Sequence, residues 1–146
     1  MKQPLSLTWE LDTIFPGGSS SAELEGFLSK LEKDILSLQG FVKDAVAPTD
    51  VASTKALDEV IALLQSCSGR LVEVTSFADC LGAQNQMDKG AVRLAAKVTS
   101  MRAGFEGISS QFSNVLRQTT DKVWAEWMAR PETVSYTHLT LPTTPY

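Results

Sequence analysis

Ala91, Leu94, Val98, Met101, Phe105, Ile108, Phe112 and Val115 follow one another in strictly alternating steps of three and four residues. A strand sends side chains to one face every two residues, whereas a helix returns to one face every 3.6. This run therefore has one regular solution, a long helix with a continuous apolar seam. Asp88 is a good N-cap for it, and the pattern predicts a helix from there to about Gln118. Gly90, Gly104 and Gly107 interrupt it at about 1 kcal/mol each relative to alanine. The seam offsets that cost, and the small residues are expected to permit close packing.

Two earlier segments carry matching faces. Pro16-Gly17-Gly18 with Ser19, Ser20 and Ser21 is a loop signal. Ser20 and Glu23 have capping-box spacing. Leu24, Phe27, Leu28, Leu31, Ile35 and Leu38 then define one face of a first helix, with Gly40 as its predicted stop. Lys30, Glu32, Lys33 and Asp34 form its solvated side. Asp44 to Ala52, containing Pro48, reads as a connection. A second helix is predicted over about residues 53–81. Leu57, Leu64, Leu71 and Ala78 lie a heptad apart, as do Val60, Cys67, Val74 and Leu81. Ile61, Leu63, Val72 and Phe77 lie outside that seam, so cover on more than one side is expected. Residues 82–87 are a short break before the third helix.

The two ends are less regular. Leu5 to Gly18 is not periodic, and its Trp9, Leu11, Ile14 and Phe15 are expected to anchor an extended arm. Thr119-Thr-Asp121 restarts a helix ending near Pro131. Its Val123, Trp124, Trp127 and Met128 crowd one side without an obvious complete cover, which marks a contact surface for further polypeptide. Short loops between long helices imply antiparallel neighbours. The expected fold is all-α: an antiparallel bundle of three long helices plus a short C-terminal helix, preceded by an extended N-terminal arm.

Charge and composition narrow the function classes. Thirteen Lys and Arg against seventeen Asp and Glu give a net charge of −4 in 146 residues. That mild acidic excess argues against nucleic acid and anionic membrane surfaces as partners. No apolar run approaches the ~20 residues needed to span a bilayer. The N-terminus lacks the apolar stretch of a signal peptide, so a cytoplasmic location is expected. Cys67 and Cys80 fall on one predicted helix about 20 Å apart, too far for a disulfide. They are expected to be free, buried thiols.

The sole histidine, His138, lies in a run from Val134 to Thr143 that back-translates as GTC TCT TAT ACA CAT CTG ACG CTG CCG ACG. That string resembles a transposon-end adapter used in preparing sequencing libraries. Residues 134–146 are accordingly expected to be a non-native, disordered tail, and residues 1–133 a truncated N-terminal helical domain.

Without His138, most catalytic arrangements fail. A zinc-protease helix needs two histidines at i and i+4 beside a glutamate, and a Ser-His-Asp arrangement needs one histidine. A thiolate nucleophile at Cys67 or Cys80 lacks a histidine base. Gly104-Phe-Glu-Gly107 has the spacing of a phosphate-clamping loop in one RNA-binding fold, but it lies inside the regular seam of an acidic chain and reads as helix. Glu23, Glu25, Glu32 and Asp34 could suggest paired carboxylates. Lys30 and Lys33 beside them make a solvated face the better reading. Phe105 and Phe112 read as core. The sequence thus offers no catalytic, cofactor-binding or metal-ligating residue.

Leu7-Thr-Trp9-Glu-Leu-Asp12-Thr-Ile-Phe15-Pro-Gly-Gly18, followed by the capped helix, resembles the start of the oligoendopeptidase F family. Cys80-Leu-Gly-Ala-Gln-Asn-Gln-Met-Asp88-Lys89, between two long helices, is similar to the corresponding turn of that family. The resemblance implies a parent that cuts short peptides inside a deep channel. There two histidines and a glutamate bind zinc, and the glutamate of H-E-x-x-H activates water. The helical part resembled here forms channel wall. Its implied partners are the missing C-terminal catalytic domain of the same chain and, for the parent, short peptide substrates. Zinc is implied for that parent, and no cofactor for residues 1–133, which are expected to be inactive alone. The alternative is a non-enzymatic helical module whose seams serve a helix-in-groove or coiled-coil partner.

Overall fold

The computed structural model describes residues 9–130; the tail from Val134 to Tyr146, including His138, lies outside the described residues, as do Leu5 and Pro131. Four helices follow in order: α1 (Ala22–Asp44), α2 (Lys55–Gln84), α3 (Lys89–Leu116) and α4 (Asp121–Met128). No strand occurs among the described residues. The three long helices pack on one another as an antiparallel bundle around a single apolar core, because each carries a stripe that only its neighbours can remove from water.

α1 begins one residue later than its capping-box spacing predicts. Ser21, not Ser20, is the N-cap, and its hydroxyl accepts from the Leu24 N–H at 3.3 Å. Ser20 closes a short 3-10 turn, Gly18–Ser20, entered through Gly17 and Gly18 at φ +91° and +58°. Only glycine adopts that conformation readily, and the turn shifts the helix start. Glu23 therefore misses the third helical position that a capping box requires. Gly40 does not stop the helix either. Its exposed position costs about 1 kcal/mol, whereas continuing to Asp44 buries Val42 on the Leu38 stripe, worth roughly 1.5–3 kcal/mol.

α2 is preceded by a 3-10 turn, Ala52–Thr54. Every residue of its predicted double seam is buried except Leu64, which is half-buried. Phe77 is buried as well, whereas Val72 is exposed. The helix runs to Gln84, past the predicted end at Leu81, and turns through residues 85–88 into α3. There Asp88 caps the helix, its carboxylate accepting from the Gly90 N–H at 2.7 Å.

The α3 seam holds with two adjustments: Met101 and Val115 are half-buried, and Leu116 is buried at the end in place of Val115. The glycine expectation needs correcting. A Cβ on Gly104 or Gly107 would meet no atom within 4 Å, so neither permits any close approach. Gly90 does, since a Cβ there would stand 2.4 Å from the Ser19 hydroxyl oxygen.

Both ends depart from expectation. Among its described residues the arm is not extended: a 3-10 turn, Leu11–Thr13, is followed by the Gly18–Ser20 turn. The Gly17 N–H donates to the Asp12 carboxylate at 3.1 Å. Leu11 and Phe15 are its anchors. Phe15 stacks edge-to-face on Phe27 of α1 at 5.5 Å and on Phe77 of α2 at 5.0 Å. Trp9 and Ile14 do not anchor; they face solvent. At the other end, α4 is largely covered by the chain itself. Trp127 is fully buried and Val123 is buried, leaving Trp124, 38 % exposed, as the large apolar residue outside.

Candidate functional site

A polar cluster lies where α4 meets the start of α2. Asp58, one turn into α2, accepts from the Trp127 indole Nε1 at 2.9 Å through one carboxylate oxygen. Its other oxygen faces Nη1 of Arg130 at 3.4 Å. Nη2 of Arg130 donates to the Val51 carbonyl, which also accepts from the Thr54 N–H and hydroxyl. Thr54 is fully buried, so its hydroxyl requires that partner. The α4 N-cap is Thr120, its hydroxyl accepting from the Val123 N–H at 3.5 Å.

Beside this cluster opens a groove of about 310 Å³ between the last turn of α1, the α1–α2 connection and the first turns of α2. Phe41, Val46, Pro48, Leu57 and Val60 give it an apolar lining, and Asp44 is its one charged residue. Phe41 and Val46 are exposed at its mouth. The space suits one or two medium side chains of another segment. It holds no titratable pair that could move a proton and no convergent donors that could stabilise an oxyanion. A second, much smaller hollow of about 60 Å³ lies between α2 and α3, lined by residues including Thr75, Asp79, Thr99 and Arg102.

The remaining charged contacts are structural in geometry. Arg70 bridges α2 to α1 by donating to the Asp34 carboxylate at 2.7 Å. Lys97 of α3 lies 3.5 Å from Glu32, exposed on both sides. The carboxylates Glu32 and Asp34 are thus tied separately to two basic side chains. At the opposite end, the Ser19 hydroxyl donates to Asp88 at 2.8 Å. That bond, with the Gly90 N–H, holds the Asp88 carboxyl below its usual range. Asp50 is lowered similarly, first by the Ser53 N–H.

Both cysteines are free, Cys67 buried and Cys80 half-buried. Burial pushes the Cys67 thiol up, against the opposing pull of Arg70, whose Nη2 lies 3.8 Å from the sulfur. A raised thiol is the reverse of what a nucleophile needs. Gly104 to Gly107 lies within α3 with Phe105 buried between the glycines, and Phe112 is core. Among the described residues, no group of three or more His, Cys, Asp or Glu side chains is placed to hold a metal ion. No helix among them is long and apolar enough to cross a membrane.

Sequence reasoning did not find the Asp58 cluster. Asp58 lies 69 positions from Trp127 and 72 from Arg130, and no local pattern links a carboxylate on one helix to an indole on another. The available signal was a large amphipathic side chain in a short terminal helix, since a buried tryptophan usually finds a partner for its N–H.

No protein-family model matches the chain, no curated protein matches it, and no solved structure matches it.

Proposed function

We propose that residues 1–133 are the N-terminal channel-wall domain of a cytoplasmic, zinc-dependent oligopeptidase of the oligoendopeptidase F type, which hydrolyses short peptides. The observation that carries this reading is the resemblance of the segment from Leu7 to Gly18, and of the turn from Cys80 to Lys89, to that family. The convergence of those two segments supports it. Gly18 of the first lies against Leu81 of the second, where a Cβ would stand 3.4 Å from the leucine side chain, and the flanking residues Phe77 and Ser19 add contacts to Phe15 and Asp88. They form one unit at one end of the bundle.

In this reading the bundle is scaffold and the chemistry belongs to a catalytic domain. Zinc would there polarise water for attack on a peptide carbonyl. No group of three or more His, Cys, Asp or Glu side chains gathers among the described residues, and no step of the reaction is assigned to them. The bundle's part is to limit by its bulk what enters the channel.

Sequencing the genomic DNA through and beyond codon 133 tests the proposal. The expected result is an open reading frame that reaches an H-E-x-x-H motif several hundred codons on. A stop near codon 133 would overturn the reading in favour of a helical interaction module. A matching biochemical expectation is that the purified 146-residue chain shows no chelator-sensitive cleavage of oligopeptides. Activity lost on chelation would contradict the assignment of chemistry to another domain.

A further inference from the structure

We propose that Asp58 and Arg130 form a strap that joins α4 to the Val51–Thr54 turn, so that these two elements open and close as one cooperative unit, separately from the rest of the bundle. An isolated helix of eight residues is not stable in water. The protection of α4 backbone amides therefore depends on docking. That docking has two components: burial of Val123 and Trp127, and the contacts to Asp58 and Val51.

The geometry makes the second component a shared one. Arg130 spans two groups with its two terminal nitrogens, the Asp58 carboxylate and the Val51 carbonyl. Asp58 in turn holds Trp127. Lifting α4 removes a donor from Val51 and two from Asp58. Unwinding the turn at Val51 removes the anchor of Arg130. Each event therefore weakens the other, and such coupling is reciprocal. The pair is half-buried, with side chains 18 % and 28 % exposed, so it is only partly screened by solvent. The same turn carries Ser53, a groove-lining residue, and Asp58 adjoins Leu57, another. Opening the strap thus alters one wall of the groove, while the α2–α3 core behind it stays packed.

Site-resolved amide hydrogen exchange on the full chain tests this. Local openings of this kind are read directly from exchange rates. In Arg130→Ala, the amides of Ala125 in α4 and of its C-cap Ala129, and those of Ser53 and Thr54, should all exchange faster, by the same factor of roughly ten. Amides of Val74 and Val98, deep in α2 and α3, should be unchanged. The reciprocal variant is Asp50→Ala, which removes the acceptor of the Ser53 N–H. It touches nothing in α4, yet should accelerate α4 amides as well. Acceleration of only one element in either variant, or of neither, would overturn the proposal. Equal acceleration of Val74 and Val98 would do so too, because the opening would then be global.

Discussion

Among the nine glycines, those in α3 separate two effects that look alike in sequence. Gly104 and Gly107 meet nothing that a methyl group would strike. Alanine there removes backbone freedom from the unfolded chain and improves helix propensity. Each of Gly104→Ala and Gly107→Ala should stabilise the fold by about 0.5–1 kcal/mol, read as a rise in urea midpoint. Gly90→Ala should go the other way despite the same gain in propensity. Its Cβ would displace Ser19 and break the tie to Asp88. Cys67 gives a pH signature at the same scale. Its folded value is raised by burial, so its contribution is complete below about pH 8.5, where an unfolded thiol ionises, and declines as pH rises through the folded value. Alkaline titration of the melting temperature should show a fall that is smaller in Cys67→Ala than in the wild-type chain.

Element by element, the helices were legible where periodicity was long and illegible where three-dimensional contacts decided. The α3 seam specified its helix almost residue for residue, because eight apolar positions at alternating spacing leave no competing register. The heptads of α2 did nearly as well. The failures are local contests. Gly40 reads as a stop until Val42 is seen to be buried beyond it, and Ser20 reads as a cap until the Gly17–Gly18 turn moves the start to Ser21. Trp127 reads as uncovered until Asp58 and the core receive it. The seam itself can be tested. Phe105 is 9 % exposed, so Phe105→Asp places a carboxylate against the core and should cost more than about 3 kcal/mol. Loss of the cooperative thermal transition by far-UV circular dichroism is the expected outcome. An unchanged melt would mean that the face is misplaced. Acid should loosen the α3 start: Asp88 is depressed in the fold, so its contribution is present above about pH 4 and lost as pH falls through its lower folded value.

At the scale of the whole bundle, polar side chains among the described residues mainly join elements. Arg70 with Asp34 crosses from α2 to α1, Ser19 with Asp88 ties the arm to α3, and Asp58 ties α2 to α4. The first was foreshadowed only as a solvated charge run and the third only by a tryptophan whose N–H would need a partner, while no local pattern pointed to the second, because each pairs residues from different elements. The Ser19–Asp88 and Asp58–Trp127 bonds, at opposite ends of the bundle, each span 69 residues of chain. Closing a loop of that length costs more entropy than forming a helical hairpin, and topology of this kind governs when contacts form. The hairpin of α2 and α3, joined by a four-residue turn, should therefore assemble early, with both long ties closing after the rate-limiting step. Ser19→Ala and Asp58→Ala should then leave the folding rate nearly unchanged and accelerate unfolding instead, with φ-values near zero in stopped-flow chevrons. The two ends would act as locks on residence time in the folded state, setting how long the bundle stays closed without affecting how quickly it forms.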